Sequence, residues 1–296
     1  MYPKTQELFR KTEKILGEHE FSYCIYYGCF DIIARKGEIF VIRVMWNIDS
    51  LQEGHAAGIK ALSSHINAQP LLVGKRTTRE CLENGVLYER FGIPALSTST
   101  LDDLFGGALP RKKRFRGGVF VETCPEKFRY CRKQRYISQS GLARIANITK
   151  KSVYEHEKKE MWMRQDAYSK IEGAIGDVSS PARIEKNFSC RKFLASDVFE
   201  KRVSAEMKKI GFDTYYIRHA PFNIVAKSSI IIFSCADDNR KSIEKKVPRM
   251  IEFSGITERP VMVVTKGEDE FDVPTVTESE LRDMDMRGIR RLLKSY

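Results

Sequence analysis

The stretch GCFDIIARKGEIFVIRV, residues 28–44, has the pattern of two short strands joined by a tight turn. Two apolar runs flank the pair Lys36–Gly37, and glycine is the residue that tight turns accept most readily. A carboxylate, Asp31, stands at the start of the first strand, and a cation, Arg43, stands near the end of the second. The stretch therefore predicts a β-hairpin that carries one acidic and one basic side chain.

Outside this hairpin, segments of the first third of the chain recur in the last third. Three pairs match in the same order: FDIIARK (30–36) with FNIVAKS (222–228), PLLVGK (70–75) with PVMVVTK (260–266), and FGIPALSTSTLDDL (91–104) with FDVPTVTESELRDM (271–284). Ordered matches of this kind indicate an internal repeat. Each copy has the pattern helix, three strands, helix, strand, helix, which predicts an α/β layer architecture with a mixed sheet.

Length, charge and composition limit the classes of protein. The chain has 296 residues, enough for two or three domains, and its 51 Lys+Arg against 39 Asp+Glu give a net charge of +12, which favours a polyanionic partner. No apolar run approaches the about 20 residues of a membrane span, and the N-terminus lacks an apolar signal core, so we expect a cytoplasmic protein without membrane contact. The seven cysteines form no closely spaced pair, and no phosphate loop is present. We expect neither a metal nor a cofactor.

The order of elements in both outer parts resembles the restriction-endonuclease-like fold that Holliday-junction resolvases share. In active members, that resemblance implies an Asp on the second strand and Glu-x-Lys on the third, which hold Mg²⁺ and position water. Here Asp31 matches the Asp, but Val41 and Arg43 stand at the Glu and Lys positions, and Asn223 replaces the Asp in the second copy. Arg is not equivalent to Lys, because it does not readily release a proton. We therefore expect no catalytic residue and no enzyme activity, with Asp31 bonded to the neighbouring turn and Arg43 a surface charge.

The middle of the chain contains a second motif. FRYCRKQRYISQSGLARIANITKKSVYEHEK (128–158) resembles the Cro/CI-type helix-turn-helix family, and the match extends to residue 176. Ser138 is an N-cap for the first helix, Asn147 suits the left-handed turn, and Thr149 caps the next helix, 150–157. The inner face of the first helix is expected to contain Leu142, Ile145 and Ala146.

The helix-turn-helix resemblance implies how this part would bind double-stranded DNA. The second helix would enter the major groove, with base contacts from Lys150, Lys151, Ser152, Tyr154 and Glu155. Phosphate contacts are expected from Gln139, Arg129, Lys133, Arg144, Arg111, Lys112 and Lys113. The matched positions also imply an internal ion pair between Arg132 and Glu157.

Charge and glycine punctuation suggest where the parts divide. Residues 111–175 contain 17 Lys+Arg and 7 Asp+Glu, a net +10, and the basic run GGALPRKKRFRGG is bracketed by glycines. We predict two related restriction-endonuclease-like α/β domains flanking a Cro/CI-type helical domain. The boundaries are a degenerate nuclease-like domain (1–105), a basic linker (106–118), the helix-turn-helix (119–176), a linker (177–190), and a second, divergent nuclease-like domain (191–296).

The whole arrangement resembles a family of archaeal helix-turn-helix transcriptional regulators. That resemblance implies sequence-specific binding of double-stranded DNA, with outer domains for dimerisation or sensing. Because one such domain makes few base contacts, we expect a homodimer. Two alternatives remain open: a structure-selective, Mg²⁺-dependent nuclease, and an adaptor that binds the transcription machinery.

Overall fold

A computed structural model describes residues 3–26, 28–184, 193–218 and 220–295. Within those residues, the chain forms 11 α-helices, a short 3₁₀ turn at Ile48–Ser50, and 14 strands in two sheets. Clustering of the backbone gives two compact units. The first unit contains Met1–Ile15, Met45–Ser50 and Leu72–Glu185, and the second unit contains Leu16–Val44, Leu51–Leu71 and Lys186–Tyr296.

The elements of the first third of the chain follow the predicted order, except that three strands, and not one, stand between the second and the third helix. They are α1 (Pro3–Glu18), β1 (Ser22–Ile25), β2 (Ile32–Lys36), β3 (Glu38–Asn47), α2 (Glu53–Ile66), β4 (Gln69–Arg76), β5 (Val86–Arg90), β6 (Ile93–Leu96) and α3 (Thr98–Phe105). In the second unit, β1, β2 and β3 pair antiparallel, with Ile33 opposite Val41. Gly37 closes the β2–β3 turn with a φ of +73°, a backbone conformation that glycine adopts without strain. The predicted hairpin is confirmed.

The last third of the chain has a similar succession in the second unit, with two strands after its second helix and two final helices. Its elements are α8 (Val198–Ile210), β10 (Asp213–Tyr216), β11 (Ile224–Lys227), β12 (Ile231–Ala236), α9 (Arg240–Thr257), β13 (Val261–Thr265), β14 (Thr275–Thr277), α10 (Glu278–Asp283) and α11 (Met286–Lys294). The sheet order is β10-β11-β12-β13-β14, with two antiparallel pairings followed by two parallel ones. Its core includes Val203, Ile224 and Met262. Helix α9 contains Pro248 in its interior.

The middle of the chain lies in the first unit. Its elements are β7 (Lys112–Phe115), β8 (Gly118–Thr123), α4 (Pro125–Gln134), α5 (Gln139–Ala146), α6 (Lys150–His156), β9 (Met161–Arg164) and α7 (Gln165–Ile175). The strands of this unit follow the order β4-β6-β5-β7-β8-β9.

The stretch 106–118, expected to be a linker, contains a strand instead. Strand β7 pairs parallel with β5 and antiparallel with β8. Gly117, with a φ of +102°, lies in the turn of this hairpin, and Gly118, with a φ of +144°, begins β8. Glycine punctuation marks tight turns as well as linkers, and the basic side chains of β7 project from a paired strand.

Helices α4 to α7 enclose a small core of their own, which includes Phe128, Leu142, Val153 and Ile171. As predicted, Ser138 and Thr149 accept hydrogen bonds from backbone amides at the starts of α5 and α6, at 3.0 Å each. Asn147 takes the left-handed turn conformation, with a φ of 56°.

Ile145 of α5, which is expected in the core, lies at the surface. Ile145 is 47% exposed, whereas Ala143 is buried. The inner face of α5 runs through Leu142, Ala143 and Ala146, and Ile145 lies on its edge, about 100° from the centre of this face at the α-helical repeat.

No helix in the described part of the chain has the length and apolar composition that a membrane span needs.

Candidate functional site: two hairpins and a basic helix

Asp31, in the second unit, has hydrogen-bond partners on both carboxylate oxygens. Oδ1 accepts from Arg43 Nη1 at 3.0 Å, and Oδ2 accepts from the amide of Val44 at 2.7 Å. The same Nη1 of Arg43 donates to the carbonyl of Gly28 at 2.7 Å. Burial raises the pKa of Asp31, and the Arg43 charge and the Val44 amide oppose this effect. Two expectations are corrected: Asp31 bonds the neighbouring strand and not a turn, and Arg43 is a partner in a largely buried ion pair and not a surface charge.

Asn223 occupies the corresponding place in the second hairpin, β11–β12. The backbone N–H of Asn223 donates to the carbonyl of Ser234, just as the backbone N–H of Asp31 donates to the carbonyl of Ile42. The Asn223 side chain then bonds both backbone groups of Ala236: Oδ1 accepts from its N–H and Nδ2 donates to its carbonyl, each at 2.8 Å. In both hairpins, the side chain at this position fixes the backbone of the adjacent strand.

The fold resemblance implies a divalent metal at Asp31, and the residues present do not fit one. A metal site needs several oxygen or nitrogen ligands that converge on one point. Both oxygens of Asp31 are engaged by the protein, the position of the second carboxylate holds the fully buried Val41, and Arg43 supplies a positive charge. Across the described residues, no group of three His, Cys, Asp or Glu side chains is arranged to hold a metal ion.

The predicted base-contact residues all lie on α6, in the first unit. Lys150, Lys151 and Tyr154 are exposed, and Ser152 and Glu155 are half-buried. Glu155 pairs with Lys159 at 3.6 Å, and the Lys158 ammonium lies 4.4 Å from the centre of the Tyr154 ring. The first turn of α6 therefore presents two lysines to solvent.

A buried carboxylate, Glu157, joins the helices around α6. Its oxygens accept from Arg132 Nε at 2.5 Å and from Gln139 Nε2 at 2.7 Å, and its carbonyl accepts from Arg129 Nη2 at 2.6 Å. Burial would raise the pKa of Glu157, but the hydrogen bonds from Arg132 and Gln139 outweigh it and hold the pKa below its ordinary value. Glu157 is thus ionised and fixes α4 and the start of α5 against the end of α6.

The predicted phosphate contacts fall into two groups. Lys133 and Arg144 are exposed, and Lys112 is half-buried on β7. The other members already bond protein groups: Arg129 and Gln139 bond Glu157, Arg111 pairs with Asp177, and Lys113 pairs with Glu89. Sequence reasoning missed these partners, because all of them are distant along the chain.

His156 is a further polar residue that the sequence did not single out. It is 3% exposed, its Nδ1 lies 2.8 Å from the hydroxyl of Thr123, and its ring stacks on Phe128. Burial lowers the pKa of His156 to about 4, so the ring is neutral near pH 7.

Comparison with known proteins gives a family for part of the chain and relatives for most of it. Residues 5–110 match the PD-(D/E)XK superfamily domain. A protein of Methanocaldococcus jannaschii named "Putative HTH-type transcriptional regulatory protein" is 26% identical over 92% of this chain and 91% of its own length. Proteins of the same name from Thermococcus kodakarensis (29% identical over 87% of this chain and 84% of the relative) and Pyrococcus furiosus (34% identical over 68% and 65%) also match. No solved structure matches the chain.

These findings confirm the resemblance to archaeal helix-turn-helix regulators, and they support a restriction-endonuclease-like fold for the first part of the chain. They also correct one expectation. The PD-(D/E)XK superfamily is a nuclease fold family, so the match overturns the expectation that the chain is not an enzyme. That expectation depended on Val41, Arg43 and Asn223, and substitutions at three positions are too narrow a basis to exclude catalysis by the whole chain.

Proposed function

We propose that the chain, which is similar over most of its length to archaeal proteins named "Putative HTH-type transcriptional regulatory protein", is a sequence-specific, double-stranded DNA-binding regulator of transcription. One observation carries the proposal. The first turn of α6 exposes Lys150 and Lys151, while the Thr149 cap and the buried Glu157 fix the two ends of the same helix. A rigid basic helix of this kind suits the major groove.

Individual side chains of α6 have distinct proposed roles. Lys150 and Lys151 donate to guanine O6 and N7, Glu155 accepts from cytosine N4, and Ser152 suits either partner. Tyr154 packs on thymine methyl groups or on the sugar edge. We propose Lys133 and Arg144 as the main phosphate contacts, with Lys112 beside them, because they are not engaged by acidic side chains of the described chain.

The remaining basic residues of the prediction have a second role in this proposal. Arg129 and Gln139 position α6 through Glu157 and reach phosphate with the donors that this bonding leaves. Arg111 and Lys113 add sequence-independent attraction, which weakens as salt rises. We also propose a cytoplasmic homodimer, organised by the two outer α/β domains, because two copies of a small recognition helix give operator specificity.

The test is selection of bound fragments from sheared genomic DNA, in Mg²⁺ near physiological salt, followed by sequencing. We expect intact fragments that share a short inverted repeat. Lys150→Ala should reduce enrichment of that motif about tenfold, as loss of one base contact does. Lys170→Ala is the matched control, since it removes an exposed lysine of α7 and should change little. Intact fragments with no shared motif would contradict sequence-specific binding and favour an adaptor.

A second candidate function, a Mg²⁺-dependent nuclease, is favoured by the PD-(D/E)XK match at residues 5–110. The same selection tests it, since cutting shortens the fragments. Shortening that EDTA abolishes, and that Asp31→Asn also abolishes, would establish the nuclease. Fragments of unchanged length in both buffers would exclude cutting of these substrates.

A further inference from the structure

A basic cleft lies in the second unit, which does not contain α6. It has a volume of about 760 Å³ and is bounded by Tyr26 and Gly28 on one side and by Pro221 and the first half of α9 on the other. Four cations line it: Lys241, Lys245, Lys246 and Arg249. Among the described residues, no carboxylate contributes to its wall.

The spacing of the cations places three of them on one face of α9. Lys241, Lys245 and Arg249 are separated by four residues each, so they stack along consecutive turns. Like charges at this spacing repel and destabilise an isolated helix. The repulsion between Lys241 and Lys245 therefore lowers the stability of α9 unless an anion lies between these two side chains.

Two acidic side chains near the cleft are already paired, and one of them is paired with Lys246, a cation of the cleft itself. Asp237 pairs with Lys246 at 2.7 Å, and Glu244 pairs with Arg240 at 2.9 Å. Glu252, farther along α9, lies near the phenol of Tyr26. Within the described chain, neither Lys241 nor Lys245 forms an ion pair. The cleft keeps a positive charge, and its concave shape concentrates the field.

The floor of the cleft is held in place by the protein. Tyr26 is 2% exposed, and its hydroxyl donates to the carbonyl of Arg249 at 2.8 Å, which ties α9 to the end of β1. Pro221 adds an apolar surface beside it. A preformed cleft of this volume with a row of cations along one helix matches a ligand of small-molecule size that carries several phosphate groups.

We propose that this cleft binds the phosphate groups of a small ligand, such as a nucleoside triphosphate, on Lys241, Lys245 and Arg249. The proposal does not depend on DNA binding by α6, because none of its residues belongs to that helix. It gives one α/β part of the chain a sensing role.

The experiment is calorimetric titration of the full chain with ATP and, separately, with inorganic tripolyphosphate. We expect saturable binding at one site per chain for both, and ATP binds more tightly if the cleft also contacts the base. The double variant Lys241→Gln/Lys245→Gln should weaken binding at least about tenfold, because two charge-assisted contacts are lost. The matched control is Lys201→Gln/Lys208→Gln, which removes two exposed lysines of α8 outside the cleft and should bind as the unaltered chain does.

Three outcomes would overturn the proposal. The first is no saturable binding of either probe up to millimolar concentration. The second is equal weakening in the cleft variant and the α8 variant, which would indicate attraction by net charge alone. The third is a single-stranded 12-mer that binds more tightly than ATP and is lost in the cleft variant, which would make the occupant a nucleic-acid backbone. Circular dichroism of both double variants verifies that the helices remain folded.

Discussion

The two hairpins of the second unit fix equivalent strands with different chemistry. In the first, the ionised group is Asp31, which bonds one backbone amide and needs the guanidinium of Arg43. In the second, Asn223 bonds both backbone groups of Ala236 with a neutral amide. Cys235, which is fully buried and follows Ser234, stands where Arg43 stands in the first hairpin.

This difference shows what the fold requires at the position and what it does not. Both hairpins need a side chain that accepts a hydrogen bond from the adjacent strand. Only the first adds a negative charge, and the buried charge then needs a cation beside it. The carboxylate of Asp31 therefore exceeds what the hairpin needs for its own stability.

The comparison predicts its largest effect at Arg43. Arg43→Ala leaves Asp31 buried without a cation, so the free energy of unfolding should fall by about 3–5 kcal/mol in urea denaturation. The double variant Arg43→Ala/Asp31→Asn should recover much of that loss, because no buried charge remains. Lys36→Ala on the same hairpin is the control, since its pair with Glu20 is long, at 3.8 Å, and exposed. A double variant as unstable as Arg43→Ala would contradict the charge explanation.

Asn223 gives the next largest effect. Asn223→Ala leaves the N–H and carbonyl of Ala236 without their side-chain partner, at a cost of about 2–3 kcal/mol. Asn223→Asp retains one acceptor but places an oxygen against the Ala236 carbonyl, with no cation to compensate. Urea denaturation at pH 7 should therefore show a lower free energy of unfolding for Asn223→Asp as well. A free energy of unfolding equal to that of the unaltered chain would contradict the comparison between the two hairpins.

His156 extends the comparison to a buried neutral group in the first unit. Its pKa in the folded chain is about 4, below the ordinary value of 6.5. The unfolded chain therefore binds the proton more tightly, and stability should decline as pH falls from 6.5 towards 4, by about 2 kcal/mol from this residue. Urea titrations across this range measure the decline, and His156→Gln should make it shallower. An unchanged slope in His156→Gln would exclude His156 as the cause.

The smallest effect is expected at Asp31 itself. Asp31→Asn keeps an acceptor for Val44 but loses the hydrogen bond that Arg43 donates to Oδ1, so we expect a loss of about 1 kcal/mol. Because burial raises the pKa of Asp31, the folded chain binds its proton more tightly than the unfolded chain. The stability that this protonation contributes is present at low pH and is lost as pH rises through the raised pKa. The difference in the free energy of unfolding between the unaltered chain and Asp31→Asn, measured by urea denaturation, should become smaller as pH rises from 4 to 7. A difference that stays constant would contradict this explanation.

The sequence predicted local structure well, because its signals act over short distances. The alternation around Gly37, the caps at Ser138 and Thr149, and the left-handed Asn147 all depend on residues within one turn. The prediction of a linker at 106–118 is wrong, since glycines of this kind occur both in linkers and in the turns of hairpins.

Most partners distant along the chain lie beyond that reasoning, although the helix-turn-helix resemblance implies the Arg132–Glu157 ion pair, which the structure contains. Gln139 and Arg129 look like phosphate contacts on a helical pattern, and only the folded chain brings Glu157 to both. The link from Tyr26 to the carbonyl of Arg249 joins residues 223 positions apart. The cleft cations of α9 are visible in the sequence as a basic series with a spacing of four, a pattern that is equally typical of a solvated helix face.

Pro248 interrupts the backbone hydrogen bonding of α9. Proline has no N–H, so the carbonyl of Glu244 lacks its usual helical partner and the helix is prone to bend there. Lys241 and Lys245 lie before this point, and Arg249 lies directly after it. A bend at Pro248 would thus change the distance from Lys241 and Lys245 to Arg249. A ligand that bridges these cations would stiffen the helix. Slower amide hydrogen exchange in the first half of α9 would then show that a ligand occupies the cleft.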